Sequence, residues 1–371
     1  MKLTIERAAL FRSLGHVQSI VERRNTIPIL SNVMLEATDG HLSLAATDMD
    51  IAIVESVPVV IDTAGSTTAP AHTLYDIVRK LPDGAQIELE SSSDGQMTLR
   101  AGRSEFTLQT LPTEDFPQTD GGDLPHQFAL PANDLRGLID RTRFAISTEE
   151  TRYYLNGIFM HTTAGDSGDV MRSVATDGHR LARVEMAVPD GAAGMPGVIV
   201  PRKTVGELRK LIDEIGDDID IALSDTSARF AFDNAVLTSK LIDGTFPDYE
   251  RVIPTGNDKS LNVDCRSFAD AVDRVATIST EKSRAVKLSA AGNNLVLTAS
   301  SPDSGTAREE IEVDYDADAI EIGFNARYLL DIAQQIEGDE AEFVVADAAS
   351  PTIVRDSEDD SALYVLMPMR V

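Results

Sequence analysis

The chain carries one plan three times, and this repetition restricts it to a modular fold. Ala46-Thr47-Asp48 returns as Ala175-Thr176-Asp177, 129 residues later. LPTEDFP (111–117) is matched by LIDGTFP (241–247), and ISTEETR (146–152) by ISTEKSR (278–284). LTAS (297–300) stands where LAAT (44–47) stood. LMPMRV (366–371) closes the third copy, with Leu366 aligned to Leu111 and Leu241. Copies of about 120 residues are of ordinary domain size. The expected domains are 1–120, 128–252 and 255–371, with linkers around QTDGGDLPHQ (118–127) and IPTGNDKS (253–260).

Each copy opens with an apolar stripe at helical spacing: Leu10, Leu14, Val17 and Val21; Leu135, Ile139, Thr142 and Ile146; Phe268, Val272, Val275 and Ser279. A second helix is predicted at 72–81, 203–215 and 325–336, the last with Asn325 as N-cap. Between the helices lie period-two stretches such as HLSLAA (41–46), QIELESS (86–92), QMTLRAG (96–102) and SEFTLQTL (104–111). Asp39-Gly40, Asp83-Gly84 and Asp94-Gly95 mark turns between strands. The expected class is α+β: two helices plus antiparallel sheets in each copy.

A net charge of −28 argues against tight DNA binding through phosphate neutralisation. The single cysteine, Cys265, excludes a disulfide framework and any cysteine-rich metal site. No apolar leader and no run of eighteen apolar residues is present, so a cytosolic protein is expected. The sequence holds no P-loop, zinc-protease or nucleophile-elbow motif, and its six histidines have no ligand spacing. No metal or cofactor is expected. Asp217, Asp218 and Asp220 read as turn chemistry.

Two features are singular. Gly178-His179-Arg180-Leu181 follows Ala-Thr-Asp only in the second copy. The end of the chain, ALYVLMPMRV, is almost wholly apolar where termini are usually polar. A Met-Pro-Met tail near a His-Arg turn suggests a pocket for a partner's short segment. A hydrolase using Asp177, His179 and Arg180 and an acidic mimic of DNA are the competing readings.

MKLTIER, TIPILSNV, YYLNGI, ATDGHRLA, FPDY and YVLMPMR, in this order over the whole chain, resemble the bacterial DNA polymerase III beta subunit, the sliding clamp. The resemblance implies a processivity factor rather than an enzyme. It implies a head-to-tail homodimeric ring, with helices lining a hole through which double-stranded DNA passes. Such a ring holds DNA topologically, which reconciles the acidic balance with DNA binding. The implied partners are the polymerase III alpha subunit, the clamp-loader delta subunit and other proteins with clamp-binding peptides, in the cytoplasm at the nucleoid. The implied partner-peptide pocket comprises Leu155, Thr176, Gly178, His179, Arg180, Leu181, Pro247, Arg251, Val252, Val365, Leu366, Met367, Pro368, Met369 and Arg370. Asn325 and Tyr328 contribute a second subsite, which Ala349 would leave roomy. Arg24, Tyr153 and Tyr154 are implied DNA contacts. Arg79, Lys80, Arg136, Arg143, Arg202 and Lys203, with Arg209 and Lys210, are candidates for a basic lining, Arg136 and Arg143 from one side of one helix. Phe106 and Leu108 would meet Thr277 and Ile278 across the dimer interface.

Overall fold

The computed structural model describes residues 1–92, 94–118, 122–165, 168–214, 217–279 and 284–370. Parts of the first linker (119–121) and of ISTEKSR (280–283) lie outside the described residues. The first copy runs β1 (Lys2–Glu6), α1 (Arg7–Ile20), β2 (Asn32–Thr38), β3 (His41–Thr47), β4 (Ile51–Pro58), β5 (Val60–Thr63), β6 (Gly65–Pro70), α2 (Ala71–Lys80), β7 (Gln86–Ser91), β8 (Gln96–Ala101) and β9 (Ser104–Gln109). The second runs β10 (His126–Pro131), α3 (Ala132–Asp140), β11 (Gly157–Gly165), β12 (Gly168–Thr176), β13 (Arg180–Ala187), β14 (Val198–Pro201), α4 (Arg202–Ile212), β15 (Asp218–Leu223), β16 (Ser227–Ala231) and β17 (Ala235–Lys240). The third runs β18 (Lys259–Asp264), α5 (Cys265–Ala276), β19 (Ala285–Ala290), β20 (Asn294–Ser301), β21 (Gly305–Glu312), β22 (Ile320–Asn325), α6 (Ala326–Ala333), β23 (Glu340–Val345), β24 (Thr352–Asp356) and β25 (Ala362–Leu366).

Two compact units result. One holds residues 1–136, 189–196 and 203–241; the other holds 137–188, 197–202 and 242–371. The first unit contains an eight-stranded sheet ordered β10-β15-β16-β17-β4-β3-β2-β6 and a five-stranded sheet ordered β5-β1-β7-β8-β9. The second contains an eight-stranded sheet ordered β14-β11-β12-β13-β25-β24-β23-β18 and a four-stranded sheet ordered β21-β20-β19-β22. Read in opposite directions, the two eight-stranded sheets are the same object. Each joins four strands of one copy to four of the next, antiparallel at the junctions β17–β4 and β25–β13. The second copy is therefore divided between the units.

The period-two pattern places Leu42, Leu44 and Ala46 of β3 in the core of the first unit, where α1 buries Leu10, Leu14 and Val17. In the second unit α5 buries Phe268, Val272 and Val275. Asn325 caps α6 as expected, its side chain accepting from the Arg327 amide at 3.0 Å. The Asp39-Gly40 turn has positive φ at both residues, +49° and +78°, as a tight hairpin requires.

Two expectations are corrected. The stripe Leu135–Ile146 predicts a helix longer than α3, which stops at Asp140. Thr142 turns its hydroxyl back onto the Leu138 carbonyl at 2.5 Å and leaves helical backbone with φ −123°, and residues 143–145 form a 3-10 turn. Arg143 consequently does not share a helix face with Arg136. The alignment of Leu366 with Leu241 also shifts. Strand pairing sets Leu366 opposite Arg180 and Ser239 opposite Ile51, so Ser239 is the counterpart of Leu366 and Lys240 that of Met367.

Candidate functional site

The turn from β12 to β13 is held by side chains that the sequence already spaces for it. The Thr176 hydroxyl donates to the Arg180 carbonyl at 2.7 Å and accepts from the Gly178 amide at 3.1 Å. Asp177 Oδ1 accepts from the amides of His179 and Arg180 at 2.9 and 3.1 Å. Gly178 supplies φ +87°, and a Cβ there would lie 2.6 Å from an Arg152 guanidinium nitrogen. The other Asp177 oxygen accepts from Arg180 Nε at 3.2 Å. Arg180 is 7% exposed and also donates to Asp331 and to the Phe144 carbonyl. Its guanidinium lies over the rings of Tyr328 and Phe144, at 4.4 and 5.1 Å from their centroids.

This arrangement speaks against the hydrolase reading, since Asp177 and Arg180 are committed to the turn and to each other. Each guanidinium nitrogen of Arg180 is thus already bonded within the chain. His179 is exposed, and its ring faces Tyr328 with centroids 6.4 Å apart.

The apolar floor forms around Leu155, Leu181 and Val365, buried in one cluster with Val174, Ile199, Phe246 and Tyr249. Strand pairing brings the tail to the turn, with Leu181 opposite Val365. Past β25 the tail stays attached: the Met367 amide donates to the His179 carbonyl at 2.9 Å, and the Met369 amide to the Gly323 carbonyl at 2.8 Å. Beyond β25 an isolated antiparallel bridge pairs Met369 with Gly323. Met367 and Val252 leave apolar side chains in solvent, 40% and 48% exposed. Pro247 follows Phe246 in the chain, and Arg251 is exposed and pairs with Asp248 at 2.6 Å. Asn325 spends its side-chain oxygen on the α6 cap. Ala349, Pro368, Met369 and Arg370 line an open groove of about 1260 Å³ that continues over Lys287 and Glu321. Sequence reasoning missed Asp331, whose signal is its place three residues after Tyr328 on α6. It also missed Phe144 and Arg172, which are distant in sequence and carry no motif, and gave no role to Tyr249, although FPDY ends on it.

The basic candidates are mostly engaged with acids. In the first unit Arg136 and Arg209 share Asp213, Lys210 meets Glu207 at 2.8 Å, and Arg79 meets Asp76 at 3.0 Å. Lys203 bridges Glu22 and Asp48, each at 2.5 Å; burial opposes its charge, yet these carboxylates raise its pKa. In the second unit Arg143 pairs with Asp140 at 3.1 Å. Arg24, Lys80 and Arg202 are exposed. Tyr153 is 53% exposed and stands edge-on to Tyr154, with centroids 5.7 Å apart. Within the chain Leu108 is already buried, whereas Phe106 and Ile278 are half-buried and Thr277 is exposed. Among the described residues no helix is long and apolar enough to cross a membrane.

Family models for the DNA polymerase III beta subunit match the chain in three consecutive parts. The N-terminal domain matches residues 1–120, the central domain 129–248 and the C-terminal domain 250–370. The beta sliding clamp of Caulobacter vibrioides is 57% identical, with 100% of both chains covered. That of Escherichia coli K12 is 38% identical, also over 100% of both chains. Among solved structures, a sliding clamp from Bartonella birtlesii bound to griselimycin superposes with TM-score 0.97 at 52% identity and covers 100% of both chains. A C. crescentus beta sliding clamp does so with TM-score 0.98 at 57% identity, covering 100% of this chain and 99% of that one.

Proposed function

Since the chain belongs to the DNA polymerase III beta subunit family, the non-catalytic sliding clamps of DNA replication, we propose that two copies close head to tail around double-stranded DNA. The observation that carries this reading is the strand inventory. Each eight-stranded sheet joins a half ending in β17 or β25 to a half beginning with β4 or β13. Two halves are left over: β1-β7-β8-β9 with β9 at the edge, and β21-β20-β19-β22 with β21 at the edge. β9 occupies in its copy the place of β17 and β25, and β21 that of β4 and β13. Pairing β9 of one chain with β21 of another completes a third sheet of the same design, and two such contacts close a dimer. Phe106 and Ile278 supply apolar area at that junction, with Leu108 beneath and Thr277 beside it.

Within this ring, domains 1–120, 128–252 and 255–371 each contribute two helices to the inner wall. The cations there are largely neutralised by neighbouring carboxylates, which suits a ring that must slide. Arg24, Lys80, Arg202, Tyr153 and Tyr154 are the groups left to touch DNA, with Arg79, Arg136, Arg143 and Lys203 contributing to the local field. The pocket formed by Leu155, Leu181, Val365, Met367, His179 and Tyr328 takes short peptides of the polymerase alpha subunit, the loader delta subunit and other partners. With such partners its work would lie at the nucleoid in the cytoplasm. Griselimycin is bound by the Bartonella relative; we extend such binding to this chain's pocket.

The test is retention on DNA. A clamp loaded on closed circular DNA should stay bound in high salt and leave when the circle is cut. Phe106→Asp with Ile278→Asp should halve the mass in light scattering and abolish retention. A wild-type chain that leaves circular and linear DNA equally fast would remove the topological mechanism.

A further inference from the structure

Beneath the proposed peptide pocket lies a closed circuit of four rings, two of them from FPDY (246–249). Phe159 stacks on Phe246 with centroids 4.8 Å apart and planes within 7°, and on its other side stacks on His161 at 4.7 Å. His161 packs against Tyr249 at 5.7 Å, and Tyr249 returns edge-on to Phe246 at 6.5 Å. The circuit joins β11 to the 246–252 segment, which carries Pro247 and Val252 at the pocket wall. One end of it is polar. The Tyr249 hydroxyl lies 3.0 Å from His161 Nε2 and accepts from the Arg172 guanidinium at 3.2 Å. Arg172 is 7% exposed and also donates to Glu185 at 2.8 Å and to Glu250 at 2.6 Å.

Arg172 can only donate, so the Tyr249 hydroxyl accepts from it. The hydroxyl hydrogen can then point at His161 Nε2, an arrangement that needs a neutral His161 with its proton on Nδ1. We propose that Arg172, Tyr249 and His161 are positioning residues for peptide binding: the Tyr249 hydroxyl pins the 246–252 wall in its binding conformation, and neutral His161 keeps the pin closed. The proposal rests on the peptide-pocket reading. Alternatives for the wall's anchorage are few. Arg251 is solvent-exposed, and Glu250 reaches the fold only through the same Arg172 among the contacts described.

The surroundings of His161 favour the neutral form. Burial lowers its pKa, and the Arg172 charge lowers it further, while the Thr162 backbone and Glu250 oppose. Other charged groups facing the circuit are Glu185 and Arg183 on β13, the latter acting on Tyr249. Acid that protonates His161 turns Nε2 into a donor, so the Tyr249 hydroxyl can no longer donate to it.

The experiment uses the full-length clamp and a fluorescent synthetic peptide carrying a Gln and a Leu-Phe end. Tyr249→Phe, which keeps the ring and removes only the hydroxyl, should weaken peptide affinity about tenfold, the loss of one buried hydrogen bond. The loss should sit mainly in the dissociation rate, with dimer mass and retention on circular DNA unchanged. Wild-type affinity should fall as pH drops below 6.5 through the lowered His161 value, and the Tyr249→Phe profile should be flatter. His161→Gln, which retains an acceptor towards Tyr249, should bind near wild type at pH 7.5 and lose the acid sensitivity. Equal affinities of wild type and Tyr249→Phe, or identical pH profiles, would overturn the proposal. Failure of the wild type to bind the peptide at all would instead sink the pocket reading beneath it.

Discussion

The loop at Thr47–Ile51 in the first unit and the loop at Thr176–Arg180 in the second share one backbone design. In the first, the Thr47 hydroxyl donates to the Ile51 carbonyl at 2.9 Å and accepts from the Met49 amide at 3.0 Å. Asp48 Oδ1 accepts from the amides of Asp50 and Ile51 at 2.9 and 2.8 Å. The tail strands dock alike: Lys240 donates its amide to the Asp50 carbonyl at 2.7 Å, as Met367 does to His179. What differs is the side chains. Asp48 meets Lys203, and Asp50 meets Lys240, so charges close that junction upon itself. In the second loop Asp50 is replaced by His179, Ile51 by Arg180 and Lys240 by Met367, and the free faces are aromatic and apolar. A repeated scaffold thus closes on itself through charge in one place, a brace, and leaves aromatic and apolar groups exposed in the other, on the surface proposed to take peptides.

The largest effect that tests this contrast is a matched pair of loop-anchor deletions. Asp177→Ala strips two amides of their acceptor and removes one partner of the buried Arg180, costing about 2–3 kcal/mol. Asp48→Ala removes the same backbone acceptor, but the half-exposed Lys203 keeps Glu22, so the cost should be about 1–2 kcal/mol. Chemical denaturation measures both. Peptide affinity should fall only in Asp177→Ala. Equal losses of affinity in the two variants would dissolve the distinction between brace and pocket.

How far the sequence reveals this depends on the kind of information involved. The loops were legible because Thr and Asp act locally on amides two or three residues away, at fixed spacing. The period-two strands and the stripes of α1 and α5 were legible for the same reason. The end of α3 was not, because Thr142 satisfies an apolar stripe in sequence while its hydroxyl competes for the Leu138 carbonyl. The register of the tail was misread because Leu241 and Leu366 look alike, whereas cross-strand pairing decides which residue stands opposite Ile51 and Arg180. Asp331, Phe144, Tyr249 and Arg172 meet their partners across long sequence separations, and nothing local marks such contacts. The proposed pocket residues follow from resemblance, which did not disclose that the Arg180 nitrogens and the Asn325 side-chain oxygen are already engaged.

The next effect concerns the third loop position, Met49 in the first unit and Gly178 in the second. Both adopt the left-handed region, with φ of +80° and +87°. Gly178→Ala should cost about 1–2 kcal/mol from that backbone alone, and its Cβ would displace the Arg152 guanidinium. Met49→Gly should gain about 1 kcal/mol by relieving the same strain. Thermal unfolding of the two variants reads the difference. A stabilised Gly178→Ala would mean that the second loop does not need its glycine, and the likeness of the loops would be only superficial.

The smallest effect sets one histidine of each unit against the other. His16 lies between Glu55 and Glu214, at 2.7 and 2.9 Å. Burial opposes its charge, but the hydrogen bonds and charges of the two carboxylates outweigh it and raise the pKa above 6.5. His161 is lowered below 6.5, chiefly by burial. A raised histidine stabilises the folded state fully below its unfolded value and loses that contribution as pH rises through the folded value. A lowered one contributes above 6.5 and loses that contribution as pH falls through its folded value. The His16 slope lies above 6.5 and the His161 slope below it, so wild-type stability should peak near 6.5 and fall on either side. His161→Gln should leave the slope of His16, with stability falling as pH rises. His16→Gln should leave the reverse slope, with stability falling as pH drops. If both variants keep the wild-type profile, neither histidine is coupled to folding, and the electrostatic half of the contrast between brace and pocket fails while the loop geometry stands.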